Sequence, residues 1–168
     1  REYYSPGGGF FLWKGQPEAD RGKPLYPYHS MTQFKALASE HRKSLHEIIM
    51  ENEKAIMKVS DREINAHLDL VLKTMTDGVR KGLREEGRLP APFPFYRKAK
   101  RIYERSRHAK DGDGFMERLS SYALAVSEGN AAGCLAVTAP TLGSAGTMPA
   151  IVTVMKEMKL SRDAMRRG

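Results

Sequence analysis

Residues 60–87 constrain the fold most. Ser60 and Glu63 have the spacing of a capping box, and Ile64, Leu68, Val71, Leu72, Met75, Val79 and Leu83 follow at intervals of three and four. This period puts the apolar side chains on one stripe of a long helix. It predicts a stop near Gly87, a residue suited to a left-handed C-terminal turn. Such a stripe must be covered by other elements, because most helical stability comes from packing an apolar face. The rest of the chain supplies further helices. Ser30 with Gln33 resembles a second capping box, leading a face of Met31, Phe34, Leu37 and Ala38. Another helix is expected from about Ser44, with Leu45, Ile48, Ile49, Ala55, Ile56 and Val59 along one side. The stretch LPAPFPF, 89–95, turns the chain, and a basic helix runs on to about His108. KDGDG, 110–114, reads as a turn. Phe115, Leu119, Tyr122, Ala123 and Val126 mark a helix ending near Gly129, Met148–Met158 marks another, and Ser161 caps a short last piece. No alternating strand pattern separates these segments. REYYSPGGGFFLWK, 1–14, does alternate, with three glycines between two short halves. The expected fold class is mainly α: a bundle of about six helices preceded by a short β-hairpin-like segment (1–14) and an irregular linker (15–29). The helical domain covers 30–168.

With 40% hydrophobic and 29% charged residues among 168, a packed core is expected and global disorder is excluded. No apolar run reaches the roughly 20 residues that span a bilayer, and the polar N-terminus does not read as a signal peptide. Arg1 in place of Met suggests a processed or excised piece. One cysteine, Cys134, excludes an internal disulfide and makes a reducing, cytoplasmic setting the expectation. One thiol cannot by itself hold a structural zinc or an iron–sulfur cluster. The formal net charge of +8 raises a nucleic-acid partner. The densest basic run, YRKAKRIYERSRHAK at 96–110, reads either as a solvated helix face or as a basic nucleic-acid or partner-binding surface. Aromatics are not interleaved with its charges as base stacking would favour.

Between the last two predicted helices lies NAAGCLAVTAPTLGSAGTMPA, 130–150. Its many Ala and Gly residues let backbone N–H groups approach a small ligand. Asn130, Thr138, Thr141 and Ser144 add polar side chains. Thr147 or Ser144 is expected to cap the helix that follows, with Pro149 in its first turn. That helix end would favour an anion such as a carboxylate. Close helix packing through small residues explains the same composition, and on composition alone both readings stand.

Three ordered blocks carry a resemblance. AVSEGNAAGCLAVTAPTLGSAGTMPA, 125–150, is similar to the signature of the iron–sulfur L-serine dehydratases, which run A-V-N-E-x-N-A-A-G, T-A-P-T-x-G and G-x-x-P-A. DGVRKGLREEGRLPAPFPFYRKA, 77–99, is similar to their G-L-x-x-E-G-x-L-P-G-P-x-x-x-x-R-K/R-A. REYYSPGGGFF, 1–11, resembles the Y-Y-S-x-G-G-G-F that closes their N-terminal β domain. The resemblance implies a lyase, an L-serine ammonia-lyase of serine catabolism and gluconeogenesis. Such an enzyme converts L-serine to pyruvate and ammonia by β-elimination of water. It implies a four-iron, four-sulfur cluster in the full protein, whose open iron acts as Lewis acid on the substrate hydroxyl. It turns the 130–150 segment into a substrate-binding loop, with Asn130, Thr138, Thr141, Gly143, Ser144 and Gly146 as the candidate residues. It places Ser5, Gly7, Gly8 and Gly9 at the domain junction near the cluster.

The sequence also departs from that pattern. Ala145 stands where single-chain members often have a cluster cysteine, and Leu142 where they have Asn. Cys134 lies eleven residues earlier and is a weak substitute ligand, so no metal ligand is assigned with it. Arg84 and Ala91 differ from the usual Asn and Gly. The expectation is a fragment holding the end of a β domain, a linker and the first part of the catalytic α domain. It would be inactive and without cluster alone, and partnered by the missing β domain, the remaining α domain and a second copy. A cysteine desulfidase-like or inactive homologue is the alternative within the family.

Other candidates read as structural. His41 and His46 are five apart, not four, and no HExxH occurs. His67 falls on the apolar side of the long helix and is expected in a core or interface; His29 has no evident partner. Glu51 reads as surface charge, Glu53 as an interior polar residue, and Glu128 as a solvated helix end or a contact for a substrate ammonium. Ser144 lacks a matched His and Asp for a hydrolase triad. Gly7–Gly9 are followed by no GK[ST], so they form no phosphate loop. The nine methionines read as core filler. No residue presents itself as the general base.

Overall fold

Serine caps set the start of four helices, Ser161 at the last of them, in the computed structural model, which describes residues 2–7, 10–15, 21–109, 113–137 and 145–167. Ser30 Oγ accepts from Gln33 N at the start of α1 (Met31–Glu40). Ser44 and Glu47 form a reciprocal capping box on α2 (Leu45–Met57). Ser60 and Glu63 do the same on α3 (Asp61–Gly82), with Ser60 N donating to Glu63 Oε2 at 2.8 Å and Glu63 N to Ser60 Oγ at 3.3 Å. At α1 the box is incomplete: Gln33 Oε1 accepts from His29 N, one residue before the cap. Beyond these lie α4 (Ala99–Ser106), α5 (Asp113–Ala131), α6 (Thr147–Glu157) and α7 (Arg162–Arg167). Strands β1 (Tyr3–Gly7) and β2 (Phe10–Trp13) pair antiparallel, Tyr3 opposite Trp13 and Tyr4 opposite Leu12, with a register irregularity before Gly7. The architecture is therefore mainly α with one N-terminal hairpin, as the periodicity predicts.

The chain divides into two compact units, one of Arg1–Lys14 with Leu70–Arg166, the other of Gly15–Asp69. In the first, α5 packs against both α4 and α6. Val79, Tyr122, Val126 and Ala150 form its buried centre, with Leu83, Tyr103, Leu119, Ala123, Ala136 and Val154 around them. α3 ends at Gly82, five residues before the expected Gly87, and the chain leaves it in tighter turns, Arg84 N donating to Lys81 O at 3.0 Å and Glu85 N to Gly82 O at 3.4 Å. A Cβ at Gly82 would lie 2.2 Å from the Ala125 carbonyl oxygen, so α3 meets the backbone of α5 there. Gly87 instead sits at φ +94° in the connection that follows. The proline-rich stretch closes on itself: Leu89 N donates to Phe95 O at 2.7 Å and Arg97 N to Gly87 O at 2.9 Å. The turn expected at 110–114 is shifted, because Asp113 and Gly114 already belong to α5; 110–112 lie outside the described residues.

In the second unit α1 packs on α2. Phe34 and Ile48 are buried, and the Phe34 ring stacks on Tyr28 at 4.4 Å. Residues 21–29 have no helix or strand but are tied down. Gly22 N donates to Ile56 O at 2.8 Å, and a Cβ at Gly22 would meet the Ala55 carbonyl at 2.0 Å. The buried Asn52 amide brackets Tyr26, accepting from its N at 2.7 Å and donating to its O at 2.9 Å. Asn52, not Glu53, is the interior polar residue of this helix; Glu53 is exposed. His67 is exposed as well, so it is no core histidine. No helix among the described residues is long and apolar enough to cross a membrane.

Candidate functional site

Two of the predicted substrate-binding residues, Asn130 and Gly146, lie among those described, and Gly146 packs on the C-terminal half of α5. Ala123 and Ala125 present bare carbonyls to neighbouring chain because glycines face them: Gly82 of α3 at Ala125, and Gly146 at Ala123. At Gly146 an added Cβ would fall 2.4 Å from Ala123 O and 2.6 Å from Ser127 Oγ. Gly146 is buried and is the N-cap of α6, with no side-chain cap hydrogen bond. Thr147 is the first residue of that helix rather than its cap as expected, and Ser144 lies outside the described residues. Pro149 and Ala150 in the first turn are almost completely buried. The small residues around 145–150 thus serve helix packing, whatever ligand role they add. Ala145, at the position that resembles a cluster cysteine, is 4% exposed.

Asn130 is half-buried in the last turn of α5, and its carbonyl accepts from Gly133 N at 2.9 Å. It stands three residues past Ser127, about 4.5 Å along the helix axis. The Gly146 contact on α5 spans Ala123 to Ser127, and Asn130 follows it in the last turn. Thr138, Thr141 and Gly143, like Ser144, lie outside the described residues, as do Gly8 and Gly9. Ser5 and Gly7 are placed in β1 by backbone alone.

Sequence reasoning underrated Glu128. It is 4% exposed and is neither solvated nor turned to a ligand. Its Oε1 accepts from Lys98 N at 2.7 Å and its Oε2 from Ala99 N at 3.4 Å. It therefore caps α4 from thirty residues away, satisfying donors that Lys98, the N-cap residue, leaves without a side-chain partner. A carboxylate at a helix N-terminus is also favoured by the helix dipole. No local spacing signals such a cap.

Beside α5 runs a groove of about 310 Å³, walled by Thr74, Gly78, Lys81, Gly82, Gly129 and Cys134 among others. Cys134 is half-buried on it, its Sγ 3.4 Å from Lys81 Nζ; Lys81 also stands 3.8 Å from Glu85. At the groove's edge Asp77 pairs with Lys73 at 2.5 Å and Arg80 at 3.0 Å, and the Lys73 hydrogen bond holds its carboxyl below the usual range. A four-iron cluster needs three thiolates. The chain has one, Ala145 has no ligating atom, and no group of three metal-ligating side chains occurs among the described residues. The residues present do not fit such a cluster.

The basic run is neutralised in part, by carboxylates that flank it in sequence. Arg97 pairs with Glu85 at 2.7 Å, Lys100 with Glu86 at 2.7 Å and Arg105 with Glu117 at 2.8 Å. It is a paired helix face rather than an open cationic strip.

Comparison with known proteins gives this arrangement its family. The Serine dehydratase alpha chain model matches residues 40–168. L-serine dehydratase 1 of Escherichia coli (strain K12) is 35% identical over 159 residues, 90% of this chain and 35% of that protein. L-serine dehydratase of Haemophilus influenzae is 34% identical over 157 residues, 89% of this chain and 34% of that protein. L-serine dehydratase of Streptomyces coelicolor is 35% identical over 158 residues, 90% of this chain and 34% of that protein. The chain spans about a third of the length of these relatives. The blocks at 77–99 and 125–150 both fall inside the matched range, and the chain belongs to the serine dehydratase alpha chain family.

Proposed function

We propose that this chain is part of an L-serine dehydratase, an ammonia-lyase that converts L-serine to pyruvate and ammonia. The observation that carries the reading is the collinear match of 90% of the chain to L-serine dehydratase 1 of Escherichia coli. In this reading the α-proton of L-serine is removed and the β-hydroxyl leaves as water, giving 2-aminoacrylate. That enamine tautomerises to an imine, and water then releases pyruvate and ammonia. The reaction consumes serine, which fits amino-acid catabolism and gluconeogenesis in the cytoplasm.

Within that reaction this chain's contribution is substrate binding. Asn130 offers an amide at the end of α5, and the α6 N-terminus at Gly146, which packs on the same helix at Ala123 and Ser127, offers donors that favour a carboxylate. Thr138, Thr141, Gly143 and Ser144, between them in sequence, complete the proposed loop. Residues 1–14 would close a β domain and lead through 15–29 into the helical domain at 30–168, with Ser5 and Gly7–Gly9 at the junction. The resemblance implies a four-iron cluster, but these residues do not fit it, and no step is assigned to it here. The test is steady-state pyruvate formation from L-serine by the whole protein and its N130A variant. A raised KM for L-serine, by tenfold or more for a lost charged hydrogen bond, with folding unchanged, supports the loop. An unchanged KM removes Asn130 from it.

A nucleic-acid-binding reading has less support, because Arg97, Lys100 and Arg105 are each committed to a carboxylate.

A further inference from the structure

We propose that the cavity between the end of α3 and the start of α4 binds a phosphate group, free or as a small monoester, with the Arg97 guanidinium as its anchor. The cavity holds about 490 Å³ and is lined by Glu85, Glu86, Tyr96, Arg97, Lys98, Lys100 and Arg101. Four cations against two carboxylates leave it a net charge of +2, which matches a dianion.

The arginine points to a ligand rather than to a solvated surface. Its side chain is only 8% exposed, and Nη2 is bound to Glu85 Oε2 at 2.7 Å. Nη1 is buried and has no hydrogen-bond partner among the described residues. Neither neighbouring carboxylate is held in reserve for it: Glu85 also faces Lys81 at 3.8 Å, and Glu86 takes Lys100 at 2.7 Å. A buried donor left without an acceptor costs roughly 1–3 kcal/mol, and more on a charged group. An oxyanion supplies the missing acceptor, and the planar guanidinium fork is suited to it. Nη1 lies beneath the wall, so binding includes a small shift of an exposed lining side chain; Tyr96 and Arg101 are both exposed. The position is fixed by backbone: Arg97 N is tied to Gly87 O, and Lys98 N to the buried Glu128 carboxylate. The site adjoins the groove at Cys134, Glu85 lining both, and is independent of the dehydratase reading.

The test is calorimetric titration of the whole protein with inorganic phosphate and with glycerol phosphate, at constant ionic strength set by chloride. Saturable binding of either anion is expected; the tighter one identifies the free or the esterified source. R97M is expected to weaken it about tenfold or more, the loss of a charge-assisted hydrogen bond. R101Q, on the surface, is expected to weaken it about threefold through the lost surface charge. Should R97M fail to fold, R101Q decides. No saturable heat over chloride, equal binding by folded R97M or by R101Q, or binding to duplex DNA without phosphate binding would each overturn the proposal.

Discussion

Two glycines on the same helix differ in what they do, and substituting each by alanine separates the effects. At Gly82 an alanine Cβ would meet the Ala125 carbonyl at 2.2 Å, backbone against backbone. At Gly78 its nearest neighbour is Val126 Cγ2 at 3.6 Å, ordinary contact. Chemical denaturation should therefore show G82A less stable by about 1–3 kcal/mol, since overpacking forces the helices apart. G78A should be more stable by up to about 1 kcal/mol, because glycine is a poor helix former. Equal effects would contradict the close crossing of α3 and α5. Glu128 offers a second residue-scale test. E128Q keeps one acceptor but turns an amide donor toward the α4 backbone N–H groups. It should lose about 1–3 kcal/mol, the cost of leaving buried donors unmet, and hydrogen exchange at Lys98 and Ala99 should speed up. Unchanged exchange there would rule out the remote cap.

At the scale of the element, the caps carry a pH signature. Backbone and side-chain hydrogen bonds from Ser44 and Ser60 hold the carboxyls of Glu47 and Glu63 below their ordinary 4.5. A carboxyl depressed in the folded state stabilises above its unfolded value and loses that contribution as pH falls through the folded value. The unit of Gly15–Asp69 should therefore lose stability as pH drops below about 4.5. In the S44A/S60A double variant that acid dependence should weaken in part, because alanine keeps the backbone donor and removes only the hydroxyl, with about 1 kcal/mol lost per cap near neutral pH. An acid transition of unchanged steepness would contradict it. The Ser60–Glu63 box was legible in the sequence because a capping box is local, closed within four residues, and at Ser44 the helix start was legible though its box was not named. The end of α3 was not, since Gly87, at φ +94°, turns the connection beyond the helix rather than closing the helix itself. Nor was the exchange of roles between Asn52 and Glu53: neighbours on a helix differ by 100° of rotation, and only the docking of residues 21–29 decides which is covered. His67 was misjudged likewise, because a helical stripe predicts a face but not whether anything covers it.

For the whole molecule, helix content, the hairpin and the family were readable because they rest on periodicity and ordered motifs. The site was readable only in part. Of the predicted substrate-binding residues only Asn130 and Gly146 lie among those described, Gly146 as a packing contact on α5, and Glu128 proved to be a structural cap. The net charge of +8 proved less informative than its pairing, since the strongest basic run is met by Glu85, Glu86 and Glu117. Binding to random duplex DNA at physiological salt should accordingly be undetectable, and a steep salt-dependent affinity would contradict the paired-face account. The central claim is the chemistry, and one measurement tests it most directly: product formation by the whole protein, prepared without oxygen and with iron and sulfide supplied, on L-serine and on L-cysteine in parallel. The account predicts pyruvate and ammonia in equal amounts from L-serine. Sulfide and pyruvate from L-cysteine with none from L-serine, or no turnover of either by folded protein, would contradict it.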